Sequence, residues 1–166
     1  LDRVGADYEA GRAFLPQLLS AAQAAQAVFE EIKASLLQKG GEQVSKGRVL
    51  LATVRGDVHD IGKNIVKTVL ENYGYTVTDL GRDVKAETIA ERVRADRIPL
   101  VGLSALMTTT LPAMAETVRL LKALPDPPYV MVGGAVVTEA YARQIGADAY
   151  GRDARAAAEI VRGALG

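Results

Sequence analysis

Short apolar runs alternate with longer amphipathic segments along the chain from residue 48 onward. The short runs predict buried strands, and apolar residues three or four positions apart predict helices. Strict alternation of the two is typical of a parallel sheet with crossover helices. The predicted strands span 48–54, 75–79, 100–104, 129–132 and 148–150, and the predicted helices span 61–73, 86–95, 111–123, 138–145 and 154–165. We therefore expect a doubly wound α/β domain with strand order 2-1-3-4-5.

The N-terminal part of the chain has a different pattern. Apolar residues recur every three or four positions over residues 15–39, which predicts one long amphipathic helix with Pro16 in its first turn and two glycines at its end. Such a helix cannot cover its own apolar stripe, so another domain, a ligand or further helices must lie against it. We accordingly divide the chain into residues 1–40 and 41–166.

Composition excludes several classes of function. The sequence has no cysteine, which rules out disulfides, thiolate metal sites, iron–sulfur clusters and cysteine nucleophiles. The 20 basic residues balance the 20 acidic ones, so no general positive field favours nucleic acid or an anionic membrane surface. No apolar run reaches the length of a membrane span, and the N-terminus lacks the blocks of a signal peptide. We expect a cytoplasmic protein with no nucleic-acid or membrane partner.

Two polar segments follow the first and third predicted strands. The first, residues 55–64, contains His59, which is the single histidine of the chain, and the second, residues 104–110, is rich in hydroxyl groups. Ligands of open parallel sheets bind beyond the carboxyl ends of the strands, where the strand order reverses. For this order the two segments face each other there. Residues 133–135 and 150–154 extend the same edge.

One interpretation of His59 is an ordinary residue at a helix start. Asp57 stands two residues earlier, and in an extended loop the two side chains point the same way. A carboxylate behind an imidazole fixes its tautomer and is the usual support of a metal-bound histidine. One histidine without cysteine cannot chelate a transition metal alone, so we expect the metal to come within a cofactor that supplies its other ligands.

The glycines and hydroxyl residues of this edge also have two interpretations. Gly62 could ease entry into a helix, and Gly133-Gly134 could form an ordinary turn. Alternatively these glycines, together with Gly56 and Gly102, could let a bulky ligand approach the backbone closely. Thr110 could cap the following helix or face the ligand, whereas Ser104 caps nothing obvious. Neither the phosphate loop nor the dinucleotide fingerprint occurs, and no nucleophile elbow of a serine hydrolase precedes a helix.

The string Asp57-x-His59-x-x-Gly62 resembles the cobalamin-binding modules of the methionine synthase and corrinoid methyltransferase family. The segments 104–110, 133–135 and 11–16 support this resemblance, which spans nearly the whole chain. It implies a flavodoxin-like, Rossmann-like sheet domain at 41–166 that binds cobalamin, as methylcobalamin. It also implies that residues 1–40 form a partial helical cap, the second half of a four-helix bundle.

The resemblance further implies a role for each matching residue. His59 would bind cobalt in place of the cofactor's own dimethylbenzimidazole, Asp57 would hold the imidazole, and Thr110 would complete a relay. Phe14 would shield the upper corrin face. The residues implied to bind the cofactor are Phe14, Gly56, Asp57, Val58, His59, Asp60, Gly62, Ser104, Leu106, Thr108, Gly133, Gly134 and Ala154.

The function implied is carriage of a methyl group on cobalt, from methyltetrahydrofolate to homocysteine in a methionine synthase. Partners would be methyl-donor and methyl-acceptor domains of the same or another chain, with a reactivation domain or protein. One alternative is a stand-alone corrinoid carrier of a methanol or methylamine system. Others are a mutase module, a cobalamin light sensor and a flavodoxin-like module without metal. The aromatic cap argues against the mutase module, and the single histidine and neutral charge argue against the light sensor.

Overall fold

The structure is a computed structural model of the chain. It describes residues 45–166 without interruption, together with residues 4, 7–8, 10–14, 16–17, 20–21, 23–24 and 28. From residue 45 onward the elements, in chain order, are β1 (Arg48–Thr53), α1 (Ile61–Asn72), β2 (Thr76–Asp79), α2 (Ala86–Asp96), β3 (Leu100–Ser104), a 3-10 turn (Thr108–Thr110), α3 (Leu111–Lys122), β4 (Tyr129–Gly133), α4 (Glu139–Gln144), β5 (Ala149–Gly151) and α5 (Ala154–Leu165).

The strands form one parallel sheet in the order β2-β1-β3-β4-β5. In register, Leu51 of β1 lies beside Gly102 of β3, which lies beside Met131 of β4. The order reverses at β1, whose neighbours β2 and β3 lead the chain away in opposite directions. The carboxyl ends of β1 and β3, and the loops after them, therefore lie at the switch point of the sheet.

The two faces of the sheet bury different side chains because successive residues of a strand alternate between them. One face carries Leu50, Val101 and Val130 against α2, α3 and α4. The other carries Leu51 and Met131 against α1 and α5. On this face Gly102 of β3 has no side chain and Ala157 of α5 has a small one, and a cavity lies between the sheet and the helices.

The predicted fold class and strand order are confirmed. All five predicted strands and all five predicted helices of residues 48–165 are present, and their ends agree to within one or two residues. The predicted helix at 15–39 lies mostly outside the described residues, as does the boundary at residues 40 and 41. Within the part of the chain that the structure describes, no helix is both long and apolar enough to cross a bilayer.

Candidate functional site

Asp57 joins the loops that follow β1 and β3. Its side chain is fully buried, and each carboxylate oxygen accepts from a different loop. Oδ1 accepts from the amide of His59 at 3.0 Å and from its ring Nδ1 at 2.8 Å. Oδ2 accepts from the amides of Leu106 at 2.6 Å and Met107 at 3.2 Å, and from the hydroxyl of Thr110 at 3.0 Å.

These hydrogen bonds keep Asp57 ionised despite its burial. Burial raises the pKa of the carboxyl group, but the donors from Leu106, His59 and Thr110 together outweigh that effect and hold the pKa well below its usual range. An ionised carboxylate accepts and cannot donate, so the proton of the imidazole lies on Nδ1. Its Nε2 therefore presents a lone pair.

Nε2 lies on the side of the His59 ring away from Asp57. The side chain is 46% exposed and lines the mouth of a cavity. Among the described residues, no hydrogen-bond partner occupies Nε2. The arrangement provides one fixed nitrogen ligand, with a carboxylate behind it, at the switch point of the sheet.

Thr110 does not cap the helix that follows it. It immediately precedes α3, but its side chain accepts no bond from the first turn of that helix. Instead the hydroxyl lies 3.0 Å from Asp57 Oδ2 and 2.8 Å from the carbonyl oxygen of Met107, and 96% of the residue is buried. The capping interpretation is wrong, and the contact with Asp57 is the one that a relay requires.

A cavity of about 750 Å³ opens beside His59 and runs between the sheet and helices α1 and α5. Its floor includes Leu51, Gly102 and Met131, and α1 contributes Val66 to its wall. A Cβ atom on Gly102 would lie 2.6 Å from Leu51 Cδ2, so a side chain there would fill the floor. The cavity is mainly apolar and has room for an organic group.

Two glycines at the end of β4, Gly133 and Gly134, allow backbone segments to approach closely. An added Cβ atom on Gly134 would lie 1.9 Å from the carbonyl oxygen of Ala105, and the residue has a φ of +126°. An added Cβ atom on Gly133 would lie 2.7 Å from the carbonyl oxygen of Gly151. Because these neighbours are backbone atoms, they cannot move aside like a flexible side chain.

The structure brings most of the predicted site residues together. The predicted residues that line the cavity are Val58, His59, Asp60, Gly62, Ser104, Leu106, Gly133, Gly134 and Ala154. Asp57 and Thr110 lie behind the imidazole, and the amide of Gly56 bonds Asp83. Phe14 and Thr108 are exposed and do not line the cavity, so their roles stay predictions.

Sequence reasoning missed Lys63, a lysine of α1 that lines the cavity and is only 4% exposed. Its Nζ donates to both carboxylate oxygens of Asp79 and to Asn64 Oδ1, each at 2.7 Å. Burial raises the pKa of Asp79, but Lys63, the amide of Gly81 and Lys67 lower it by more than burial raises it. The net effect is a pKa below the ordinary value. From the sequence alone, a lysine in an amphipathic helix is expected to lie in solvent. Lys63 is buried because α1 packs beside the end of β2, where Asp79 pairs with it.

His59 has few other metal-binding side chains near it. Within residues 45–166 and the described N-terminal residues, no cluster of three histidine, cysteine or acidic side chains could hold a metal ion. The site thus offers a single imidazole, which suits a metal that already has ligands from a macrocycle. The apolar slot beside it suits the displaced tail of such a cofactor.

Residues 47–159 match the profile of the B12 binding domain. The chain belongs to the B12-binding domain family. Cobalamin is accordingly the cofactor of this domain, and the single imidazole and the glycine-walled cavity fit it.

Known members of the family are similar to nearly the whole chain. A dimethylamine corrinoid protein of Methanosarcina mazei is 43% identical over 156 residues, which is 93% of this chain and 93% of that protein. The crystal structure of a cobalamin-binding protein from Desulfitobacterium hafniense matches with a TM-score of 0.85 and 35% identity, over 98% of this chain and 77% of that one.

A third B12-binding relative has a methyltransferase partner. The methanol:cobalamin methyltransferase complex of Methanosarcina barkeri contains a chain that matches with a TM-score of 0.84 and 34% identity, over 98% of this chain and 62% of that one. These comparisons support a corrinoid methyltransferase system in general terms. They do not support the expectation of a methionine synthase or of a role in methionine biosynthesis.

Proposed function

We propose that this chain is a corrinoid methyl carrier of a methylamine or related system, which receives a methyl group from a donor methyltransferase and yields it to a thiol acceptor. This is the alternative interpretation of the sequence. The observation that carries it is the imidazole of His59, held at Nδ1 by a buried carboxylate with Nε2 free at the mouth of the cavity. The relative of Methanosarcina mazei, named a dimethylamine corrinoid protein, supports the choice of donor class.

In this proposal His59 holds the cofactor through Nε2, and bound cobalamin supplies the cobalt ion that carries the methyl group. Asp57 keeps the imidazole in one tautomer and makes Nε2 a better electron donor. Thr110 donates to the far oxygen of Asp57 and thereby steadies the carboxylate.

The remaining predicted residues hold the rest of the cofactor. Gly133, Gly134 and Ser104 line the slot for its nucleotide tail, and Val58 and Leu106 offer exposed apolar surface beside His59. Phe14 would cover the opposite face of the corrin ring. We also propose the division into a helical cap at 1–40 and a cobalamin-binding domain at 41–166, with methyl-donor and methyl-acceptor proteins as partners.

The first experiment tests cofactor ligation. Purified protein is mixed with hydroxocobalamin, passed through a desalting column and measured by visible absorption. We expect a bound, red-coloured complex, whose spectrum changes in His59→Gly and returns towards that of the unaltered protein when free imidazole is added. A colourless protein, or a spectrum that is the same with and without the imidazole side chain, would refute the proposal.

The second experiment tests the donor class. The reduced protein–cobalamin complex is incubated with radiolabelled dimethylamine, trimethylamine, methanol or methyltetrahydrofolate, each with its own methyltransferase. We expect the protein fraction to gain label from an amine donor at least tenfold faster than from methyltetrahydrofolate. Label gained only from methyltetrahydrofolate would restore the methionine synthase interpretation.

A further inference from the structure

The loop between β2 and α2, residues 80–85, lies beside the loop that bears His59. Its Asp83 contacts the backbone of two successive residues of that loop, Gly56 and Asp57. The carboxylate Oδ1 of Asp83 accepts from the amide of Gly56 at 2.7 Å, and the amide of Asp83 donates to the carbonyl oxygen of Asp57 at 3.0 Å. One residue therefore fixes both the entry to Asp57 and the exit from it.

We call the two hydrogen bonds between Asp83 and the backbone of Gly56 and Asp57 the clasp. Asp83 and Gly56 both have left-handed backbone conformations. Gly56 has a φ of +83°, which glycine adopts without strain, and Asp83 has a φ of +54°, which is unfavourable for most other residues. Aspartate and asparagine tolerate this conformation best. In this conformation the amide and the carboxylate of Asp83 both face the loop that bears His59.

The flanking residues make the clasp rigid. The amide of Val84 donates to the carbonyl oxygen of Thr53, and the amide of Thr53 donates to that of Gly81. Val54 and Val84 form an isolated parallel bridge. The β2–α2 loop thus continues the sheet beyond the end of β1 and brings Asp83 to the point where the chain turns into Asp57.

The Asp83 side chain is not part of the core. The residue is exposed, so truncating it leaves no cavity. The side chain of Asp57, by contrast, is fully buried and carries the bond to His59 Nδ1. Since a carboxylate can aim at an imidazole only if its own backbone is fixed, the clasp acts on the ring through Asp57.

We propose that Asp83 is a positioning residue for the cobalt ligand: by holding the backbone of Gly56 and Asp57, it keeps the His59 imidazole aimed at the metal. This inference rests on the proposed function. Asp83 does not touch the imidazole or the cavity, so its effect is confined to how often the nitrogen ligand is in place.

Three variants separate the two parts of the clasp. Asp83→Gly keeps the left-handed backbone and removes the acceptor for Gly56, whereas Asp83→Asn keeps both the conformation and an acceptor oxygen. Asp83→Ala removes the acceptor and also disfavours the left-handed backbone at residue 83. It serves as the second test variant. Asp126→Gly is the matched control, because Asp126 is an exposed loop aspartate on the α3–β4 connection.

The readout is the axial nitrogen of bound cobalamin in its Co(II) state, measured by electron paramagnetic resonance well below the unfolding temperature. His59 is the single histidine, so labelling with ¹⁵N-histidine identifies its nitrogen without ambiguity. We expect the fraction of histidine-ligated cofactor to fall at least twofold in Asp83→Gly and Asp83→Ala, and to stay near that of the unaltered protein in Asp83→Asn and Asp126→Gly.

The possible failures are distinguishable. If the unaltered protein is histidine-ligated and both Asp83→Gly and Asp83→Ala keep the same ligated fraction, the positioning role is refuted while the proposed function stands. A merely structural role would lower the melting temperature of those variants without changing that fraction. If the unaltered protein shows no histidine nitrogen at all, the proposed function fails and this inference fails with it.

Discussion

Asp57 is the residue on which the geometry of the site depends most. The spacing of two residues between Asp57 and His59 was enough to predict their bond. The sequence could not show that the amides of Leu106 and Met107 end on the same carboxylate, because these partners lie about fifty positions away and meet Asp57 only through the register of β1 and β3. The role of the Thr110 hydroxyl was open for the same reason.

Asp57→Asn tests how much the carboxylate contributes to the fold itself. The side-chain amide of asparagine has one acceptor oxygen where aspartate has two. Either the donors of His59 or those of the 106–110 segment would therefore face an N–H group and lose their acceptor. We expect the free energy of unfolding of the cofactor-free protein to fall by about 2 kcal/mol or more, as buried unsatisfied donors cost about 1–3 kcal/mol each.

Urea denaturation measures this change, and Asp96→Asn is the control. Asp96 pairs with Arg92 on the surface of α2, where an ion pair contributes less than about 1 kcal/mol. Equal losses in the two variants would show that the buried network adds nothing to stability.

Gly133 and Gly134 at the end of β4 are predicted to be intolerant of a side chain, because an added Cβ atom would meet backbone oxygens. Gly134→Ala would place a methyl group against the carbonyl oxygen of Ala105 and keep a left-handed φ, and we expect a loss well above about 1 kcal/mol. Gly163→Ala in α5 meets no atom within 4 Å and should stabilise the protein by about 0.5–1 kcal/mol. Thermal unfolding compares them; a Gly134→Ala protein as stable as Gly163→Ala would contradict the close approach.

At the scale of elements, the Lys63–Asp79 ion pair fastens the first turn of α1 to the end of β2. Lys63 also lines the cavity, so the pair holds one wall of the slot. Since the pKa of Asp79 is lower in the folded protein than its ordinary value of 3.8, the pair stabilises the fold above that pH. This contribution is lost as the pH falls through the lowered pKa of the folded state.

Comparison with Asp79→Asn isolates this contribution. We expect the variant to be less stable than the unaltered protein by about 2 kcal/mol at neutral pH, which is below the ~3–5 kcal/mol of a fully buried pair because Asp79 is partly exposed. Urea denaturation from pH 7 to pH 3 is the measurement. The difference should shrink only below about pH 4; a difference that is constant over this range would exclude the ion pair as its cause.

The elements themselves were the most predictable part of the molecule. The apolar runs of β1, β3 and β4 became central strands because burial on both faces of a parallel sheet requires continuous apolar sequence. Boundaries differed where tertiary contacts decided them. Val54, for example, pairs only as an isolated bridge with Val84, so β1 ends at Thr53.

At the scale of the whole molecule, the cavity results from two helices that pack on one face of the sheet without filling it. Its edge residues could be predicted from the switch-point rule, but its floor could not. The space over Leu51 and Met131 depends on how far α1 and α5 stand from the sheet, which local sequence does not encode. A ligand that binds in this cavity of the folded protein, and not to the unfolded chain, stabilises the fold.

Cobalamin should therefore stabilise the folded protein by mass action. At a free concentration one hundred times its Kd, the expected gain is about 2.7 kcal/mol, seen as a higher melting temperature. Because His59→Ala removes the metal ligand but keeps the slot, the gain should be smaller in that variant at the same concentration. Differential scanning calorimetry measures both proteins with and without cofactor, and equal shifts would place the binding energy outside the imidazole.

The most direct test of the account is the identity of the nitrogen bound to cobalt. We would load the protein with cobalamin, reduce the metal to Co(II) and record electron paramagnetic resonance spectra with ¹⁴N-histidine and with ¹⁵N-histidine. The account predicts that the nitrogen splitting changes from triplets to doublets on labelling, since the ligand is His59 Nε2. Triplets that persist after labelling would show that the cofactor's own base or another group holds the metal, and would contradict the account.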